Sequence, residues 1–193
     1  MHLSVDELRD KVEEFRSSGL NTQQIADELS LSQTTVQWLS ASDFEVDDKP
    51  VDVKVGWRSI AVKGERIEAI SYVFCDIIEE MVGEEIDTIV GVSINGIAFA
   101  QSVSSILDLE LSVVRSINED VAGHLSQVYA GVEGKRVVII DDVYSSGRTM
   151  SKIAEDLTKA GADVKLCMVL VNKSWDDDVG GFPLRALVRA ATV

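Results

Sequence analysis

Only two cysteines and two prolines occur among the 193 residues, and nowhere is there a run of about 18 apolar residues of the kind a membrane helix requires. A spanning helix is thereby excluded, and the acidic, amphipathic N-terminal stretch is unlike a secretory leader, so a cytoplasmic chain without membrane attachment is expected. Cys75 and Cys167 each sit inside an apolar pattern, far from any histidine or second cysteine. They exclude a disulfide framework and a zinc knuckle, and read as small core residues in a reducing compartment. Bases are scarce: 18 Lys and Arg stand against 33 Asp and Glu, a net charge of −15, and no lysine occurs between Lys63 and Lys135. Such a balance works against nucleic acid, which is held through its phosphates. The acids are spread along the whole chain, however, and a surface crowded with carboxylates is also how a halophilic protein stays soluble; that second cause is preferred here.

A hydrophobic content of 46% supports one core of about 150 residues with a small appendage. The stretch from Arg136 to Thr149 organises the larger part. Val137 to Ile140 read as a strand buried on both faces, followed by a polar turn and a helical pattern from Met150 to Ala160. A strand-turn-helix of this kind places its loop where open α/β sheets take ligands, because the helix start brings unpaired N–H groups to the crevice. Asp141 and Asp142 leave the strand on opposite sides, able to accept from neighbouring hydroxyls. Ser145, Ser146 and Thr149 offer hydroxyls, and Gly147 lets the backbone close round a phosphate.

A second unit of this type precedes it: strand 86–92, the turn Ser93, Ile94, Asn95, Gly96, and a helix from Ile97 to Leu107. Around these lie an opening strand from Val51 towards Trp57, a helix over 66–81, a strand 111–115, an irregular span 116–132, a strand 164–171, an acidic loop 172–182 and a closing strand 184–193. The order is β-α-β-α-β-flap-β-α-β, a parallel α/β sheet.

The first 42 residues differ in character. Ser4 and Glu7 form a capping box for an amphipathic helix over 3–18, and helices over 22–29 and 33–39 are joined by Ser30, Leu31 and Ser32, the three-residue connection of a helix-turn-helix. Ile25, Ala26, Leu29, Leu31, Val36 and Leu39 fall where such a motif buries its inner faces, with Ser30 in place of the usual turn glycine. The third helix would present Ser32, Gln33, Thr34, Thr35 and Gln37 to base edges. Seven acids against three bases in residues 1–42 make electrostatic affinity weak. Residues 43–50, acidic and containing Pro50, read as a linker before a main domain of residues 51–193.

The run from Val137 to Thr149 resembles the phosphoribosyl-diphosphate (PRPP) signature of type I phosphoribosyltransferases. The resemblance implies that Asp141 and Asp142 hold ribose hydroxyls and that the 145–149 turn holds a 5′-phosphate. It further implies that Ser93, Ile94, Asn95 and Gly96, with Arg115, form a pyrophosphate loop, and that residues 116–132 are the flap over the diphosphate. The orotate branch, which the chain resembles most, carries an Arg-Lys pair and further flap lysines. Here Arg115 is followed by Ser116, with Asn118, Glu119 and Asp120 beyond it. The whole chain resembles archaeal regulators in which a helix-turn-helix is fused to an orotate-phosphoribosyltransferase-like domain and which act on sugar-catabolism genes. A single helix-turn-helix buries too little surface to hold one site firmly, so a homodimer reading a palindromic operator is expected, with the transferase-like pocket sensing a phosphorylated metabolite. No catalytic residue and no metal ligand is assigned and no cofactor is required; Mg²⁺ would enter only with a diphosphate ligand. The alternative is an active orotate-type or purine-type transferase using PRPP and Mg²⁺.

Overall fold

The computed structural model describes residues 4–41, 52–83, 85–115 and 124–191. The expected linker at 43–50 and the first half of the expected flap, with Ser116, Asn118, Glu119 and Asp120, lie outside the described residues. The chain divides into two compact units, with the boundary between Gly56 and Trp57.

In the smaller unit, helices α1 (Val5–Ser17), α2 (Thr22–Leu29) and α3 (Gln33–Leu39) follow one another with short connections. The Ser4 and Glu7 capping box is present, and Asn21 with Gln24 forms a second one at α2. Val12, Ile25, Ala26, Leu29, Val36 and Leu39 form the buried core, with Leu8, Phe15, Leu31 and Trp38 packed against it. Ser30 ends α2 in the left-handed conformation, at φ 53° and ψ 45°, the conformation that a turn glycine would adopt without a Cβ penalty.

The larger unit contains α4 (Arg58–Ala61), α5 (Gly64–Val82), β1 (Thr88–Val92), α6 (Gly96–Leu107), β2 (Glu110–Arg115), β3 (His124–Leu125), β4 (Arg136–Tyr144), α7 (Arg148–Lys159), β5 (Asp163–Asn172), β6 (Asp178–Val179) and β7 (Phe182–Arg189). The sheet order is β3-β2-β1-β4-β5-β7-β6. The pairs β2/β1, β1/β4, β4/β5 and β5/β7 are parallel, whereas the two-residue edge strands β3 and β6 pair antiparallel. The sheet is therefore mixed at its edges, not wholly parallel. Val90, Val92, Val137, Ile139, Cys167 and Val169 pack with Met150, Ile153, Ala154 and Leu157 of α7. The opposite face receives α6, so closely that a Cβ on Gly91 would come within 2.9 Å of the Ala100 Cβ. Behind α6, Phe74 of α5 meets Phe99 edge-on at 5.5 Å.

Three expectations need correction. Residues 52–57 form no strand: Val53 and Val55 alternate, but the segment finds no partner strand, and alternation without a ladder leaves the chain irregular. Strand β4 does not stop at Ile140 but runs on to Tyr144, because β5 still pairs with it. The last strand spans Phe182–Arg189 and begins earlier than expected, since the Gly180-Gly181 turn lets β6 fold back onto it.

At the end of the sheet away from the C-terminal edges of its parallel strands, Asp87 accepts from the Arg136 guanidinium at 3.0 Å twice and from its backbone N–H at 2.8 Å. These bonds hold the carboxyl down at about 2. A folded-state value below the unfolded one gives stability that is present above about pH 4 and is lost as the pH falls towards about 2. Asp87→Asn should flatten that dependence, checked by urea midpoints across the window; parallel acid loss in both proteins would contradict it. Ser30→Gly should stabilise the three-helix unit by about 1 kcal/mol by removing the left-handed Cβ penalty. Thermal unfolding tests this, and an unchanged or lower midpoint counts against it.

Candidate functional site

Two strand-to-helix turns meet at the C-terminal edge of the sheet. β1 ends at Val92, and the turn Ser93–Asn95, which contains a cis Ser93–Ile94 peptide, leads into α6 at Gly96. A Cβ on Gly96 would lie 2.3 Å from the Ile140 carbonyl oxygen and 2.9 Å from the Asp141 Cα. Only glycine lets the start of α6 press against β4 here. Pairing of β4 with β1 stops at Ile140 while pairing with β5 continues to Tyr144, so Asp141 and Asp142 lie in a strand that is open on one side. Asp142 falls on the α6 face, with Asn95 and Trp57, and its carboxyl lies close enough to that of Asp141 for the two to interact.

Asp142 draws the surroundings together. Its Oδ2 accepts from the Trp57 indole Nε1 at 2.8 Å and from the Asn95 amide Nδ2 at 3.0 Å, so one carboxylate oxygen bridges both turns and the segment before α4. The Trp57 ring rests on Phe99 at 5.3 Å. Burial pushes the Asp142 carboxyl up, opposed by the bonds from Trp57, Asp141, the Val143 backbone and Asn95. Asp141 Oδ1 accepts from the Asp142 backbone N–H at 2.9 Å.

The phosphate-type turn is built on Tyr144. Gly147, at φ 74°, is the N-cap of α7, and a Cβ there would come within 2.3 Å of the Tyr144 hydroxyl oxygen. That hydroxyl donates to Asp176 Oδ2 at 3.3 Å, and burial, reinforced by the Asp176 charge, pushes the phenol up to about 12. Ser145 and Thr149 are half-buried and Ser146 is exposed on the same turn. Asp176, in the acidic loop, is held in turn by Ser174 Oγ at 3.0 Å. Arg115 is exposed at the end of β2, in register with His124 of β3.

The structure thus brings Asn95, Gly96, Asp141 and Asp142 into contact, with Ser145, Ser146, Gly147 and Thr149 continuing from the same strand. The sequence reading did not single out Trp57, Phe99 or Tyr144 as site residues. Tyr144 lies inside the motif and could have been found there; Trp57, 85 residues from its partner Asp142, left no local signal.

On α3, Thr34 and Gln37 are exposed as expected. Gln33 donates to the Gln23 side chain on α2. Ser32 is the N-cap, its hydroxyl accepting from the Thr35 N–H at 3.1 Å. Thr35 is not exposed: at 7% accessibility it belongs to the inner face with Val36 and Leu39, because a seven-residue helix folded back on two others has only a narrow outer face. Asp52 Oδ2 accepts both the Ser32 N–H at 2.8 Å and the Thr35 hydroxyl at 2.7 Å.

Comparison with known proteins agrees with this architecture. A family model described as "Phosphoribosyl transferase domain" matches residues 57–180. Among solved structures, adenine phosphoribosyltransferase from Thermoanaerobacter pseudethanolicus superposes with a TM-score of 0.60 at 19% identity, covering 73% of this chain and 90% of that one. Orotate phosphoribosyltransferase from Aeropyrum pernix gives 0.55 at 19% identity, covering 77% and 83%. These likenesses concern the fold. Over nearly the full length, "Transcriptional regulator GfcR" of Thermoplasma acidophilum is 42% identical, covering 98% of each chain, and that of Picrophilus torridus is 38% identical, covering 98% of this chain and 99% of the relative. With a phosphoribosyl transferase domain inside a full-length match to these regulators, the chain belongs to the GfcR family of transcriptional regulators.

Proposed function

We propose that the protein is a DNA-binding transcriptional regulator, of sugar catabolism, whose phosphoribosyltransferase-type site senses a phosphorylated sugar without turning it over. The observation that carries this reading is the Asn95–Asp142 hydrogen bond, which assembles the two turns suited to a hydroxyl-bearing phosphate. The flap lysines of the orotate branch, which would neutralise a departing diphosphate, are lacking: the sequence has no lysine from residue 64 to 134 and only Arg115 between Arg66 and Lys135. A transferase needs preorganised positive charge where its leaving group develops. A sensor needs only differential affinity of a ligand for two states.

In this reading the hydroxyls donate to Asp141 and Asp142, and the phosphate takes the 145–149 turn at the start of α7. Mg²⁺ accompanies a ligand only if that ligand carries a diphosphate. α2 and α3 act as the helix-turn-helix, with Thr34 and Gln37 at base edges and Ser32 and Gln33 beside them. A homodimer matches a palindromic operator. The net charge of −15 makes phosphate contacts a minor source of affinity, which suits a high-salt cytoplasm.

The test is selection of duplexes from a random pool by the full chain in molar KCl, followed by fluorescence anisotropy with and without ribose 5-phosphate. A two-fold symmetric sequence should be enriched, and the sugar phosphate should change its affinity by about 5–150-fold. Absence of any enriched sequence would sink the reading. Asp142→Asn should lose the sugar response while raising the melting temperature by ~2–4 °C, the shift about 1 kcal/mol gives at this size, because it removes a buried charge yet keeps an acceptor for Trp57 and Asn95. A variant that is less stable, or that still responds, contradicts the assignment of Asp142.

A further inference from the structure

Residues 52–57 belong to no helix or strand, yet both ends of this segment are fixed by carboxylates in opposite senses. At one end Asp52 supplies the carboxylate, accepting from the Ser32 N–H and the Thr35 hydroxyl in the smaller unit. At the other end Trp57 supplies the donor, its indole bonded to Asp142 in the larger unit. Each contact lies inside its own unit, and the covalent chain 53–56 joins them. The joining residues are Val53, Lys54, Val55 and Gly56, and the five Cα–Cα steps from Asp52 to Trp57 span at most about 17 Å when extended.

The two anchors fall on residues with opposite tasks. Asp142 Oδ2 already accepts two donors, Trp57 Nε1 and Asn95 Nδ2, which fills the lone pairs of that oxygen. A ligand hydroxyl can use it only when one donor leaves. Asn95 is held by the turn that starts α6, whereas Trp57 sits in the segment without a ladder. Asp52 meanwhile places a negative charge at the N-terminal end of α3 and ties the Ser32 backbone and the Thr35 hydroxyl there.

We propose that residues 52–57 are a strap through which occupation of Asp142 reaches α3: a ligand hydroxyl displaces the Trp57 indole, the strap loosens, and Asp52 leaves Ser32 and Thr35. This rests on the reading of the Asp142 site as a sugar-phosphate site and of α3 as the DNA-facing helix, and it adds the sign of the response. The unliganded protein is the form held back from DNA, and the ligand promotes binding.

The experiment follows Ser32 amide hydrogen exchange by NMR in the full chain, so its readout requires no DNA. Asp52→Ala should raise Ser32 exchange about tenfold, as loss of a hydrogen bond to a charged group does. Trp57→Phe, which keeps an aromatic ring against Phe99 but removes the N–H donor, should raise it similarly without ligand. Saturating ribose 5-phosphate should do the same to the wild type. If Asp52→Ala frees Ser32 while Trp57→Phe leaves it within twofold of the wild type, the two anchors are independent and the strap is overturned. If Asp52→Ala itself has no effect, the α3 anchor does not hold and the proposal also falls. If Ser32 responds to Trp57→Phe but no duplex binds any form of the protein, the strap stands and the DNA reading fails.

Discussion

The hydrogen bond from Asn95 to Asp142 is the contact on which the site depends, because it joins two turns that the sheet only brings near each other. Parallel strands β1 and β4 lie side by side, and each ends in a turn that starts a helix. Adjacent turns become a single site only if their backbones approach and some polar group spans them. Gly96 permits the approach, with no room for a side chain between α6 and β4. Asp142 supplies the spanning group, and its enclosure pushes its carboxyl up despite the donors around it. A half-buried carboxylate held by neutral donors is costly to the fold.

The ion pairs and the candidate site lie at opposite ends of the sheet. At the N-terminal end Arg136 pairs with Asp87 and Glu85, and Lys135 with Glu110, so charge is neutralised where strands begin. At the C-terminal edge the carboxylates of Asp141, Asp142 and Asp176 gather around hydroxyls, amides and an indole. That asymmetry follows from the topology: helices start at the C-terminal edge and bring N–H groups there.

Much of this was legible in the sequence, for physical reasons that differ by element. Val137 to Ile140 announce a central strand because a strand covered on both faces must be apolar at every position. The first helix was legible from its Ser4–Glu7 capping box, and the next two from an inner face running through Ile25, Leu29, Val36 and Leu39. What the sequence hid was set by contacts between distant residues. Val53 and Val55 imitate a strand, but Trp57 is recruited by a carboxylate 85 positions away. Thr35 has the polarity of an outer residue, yet Asp52 gives its hydroxyl a partner and lets it turn inward. The continuation of β4 through its acidic pair to Tyr144 depends on β5, which no local pattern reports.

The central claim is that the paired turns hold a sugar phosphate that is not turned over. It is tested most directly by titrating the protein with ribose 5-phosphate in a calorimeter and, in the same buffer with Mg²⁺, following pyrophosphate release from PRPP with orotate, adenine or guanine. The account predicts saturable heat with the sugar phosphate and no pyrophosphate above the protein-free control. Sustained release at about 1 s⁻¹ or faster, the range of ordinary enzymes, would contradict it.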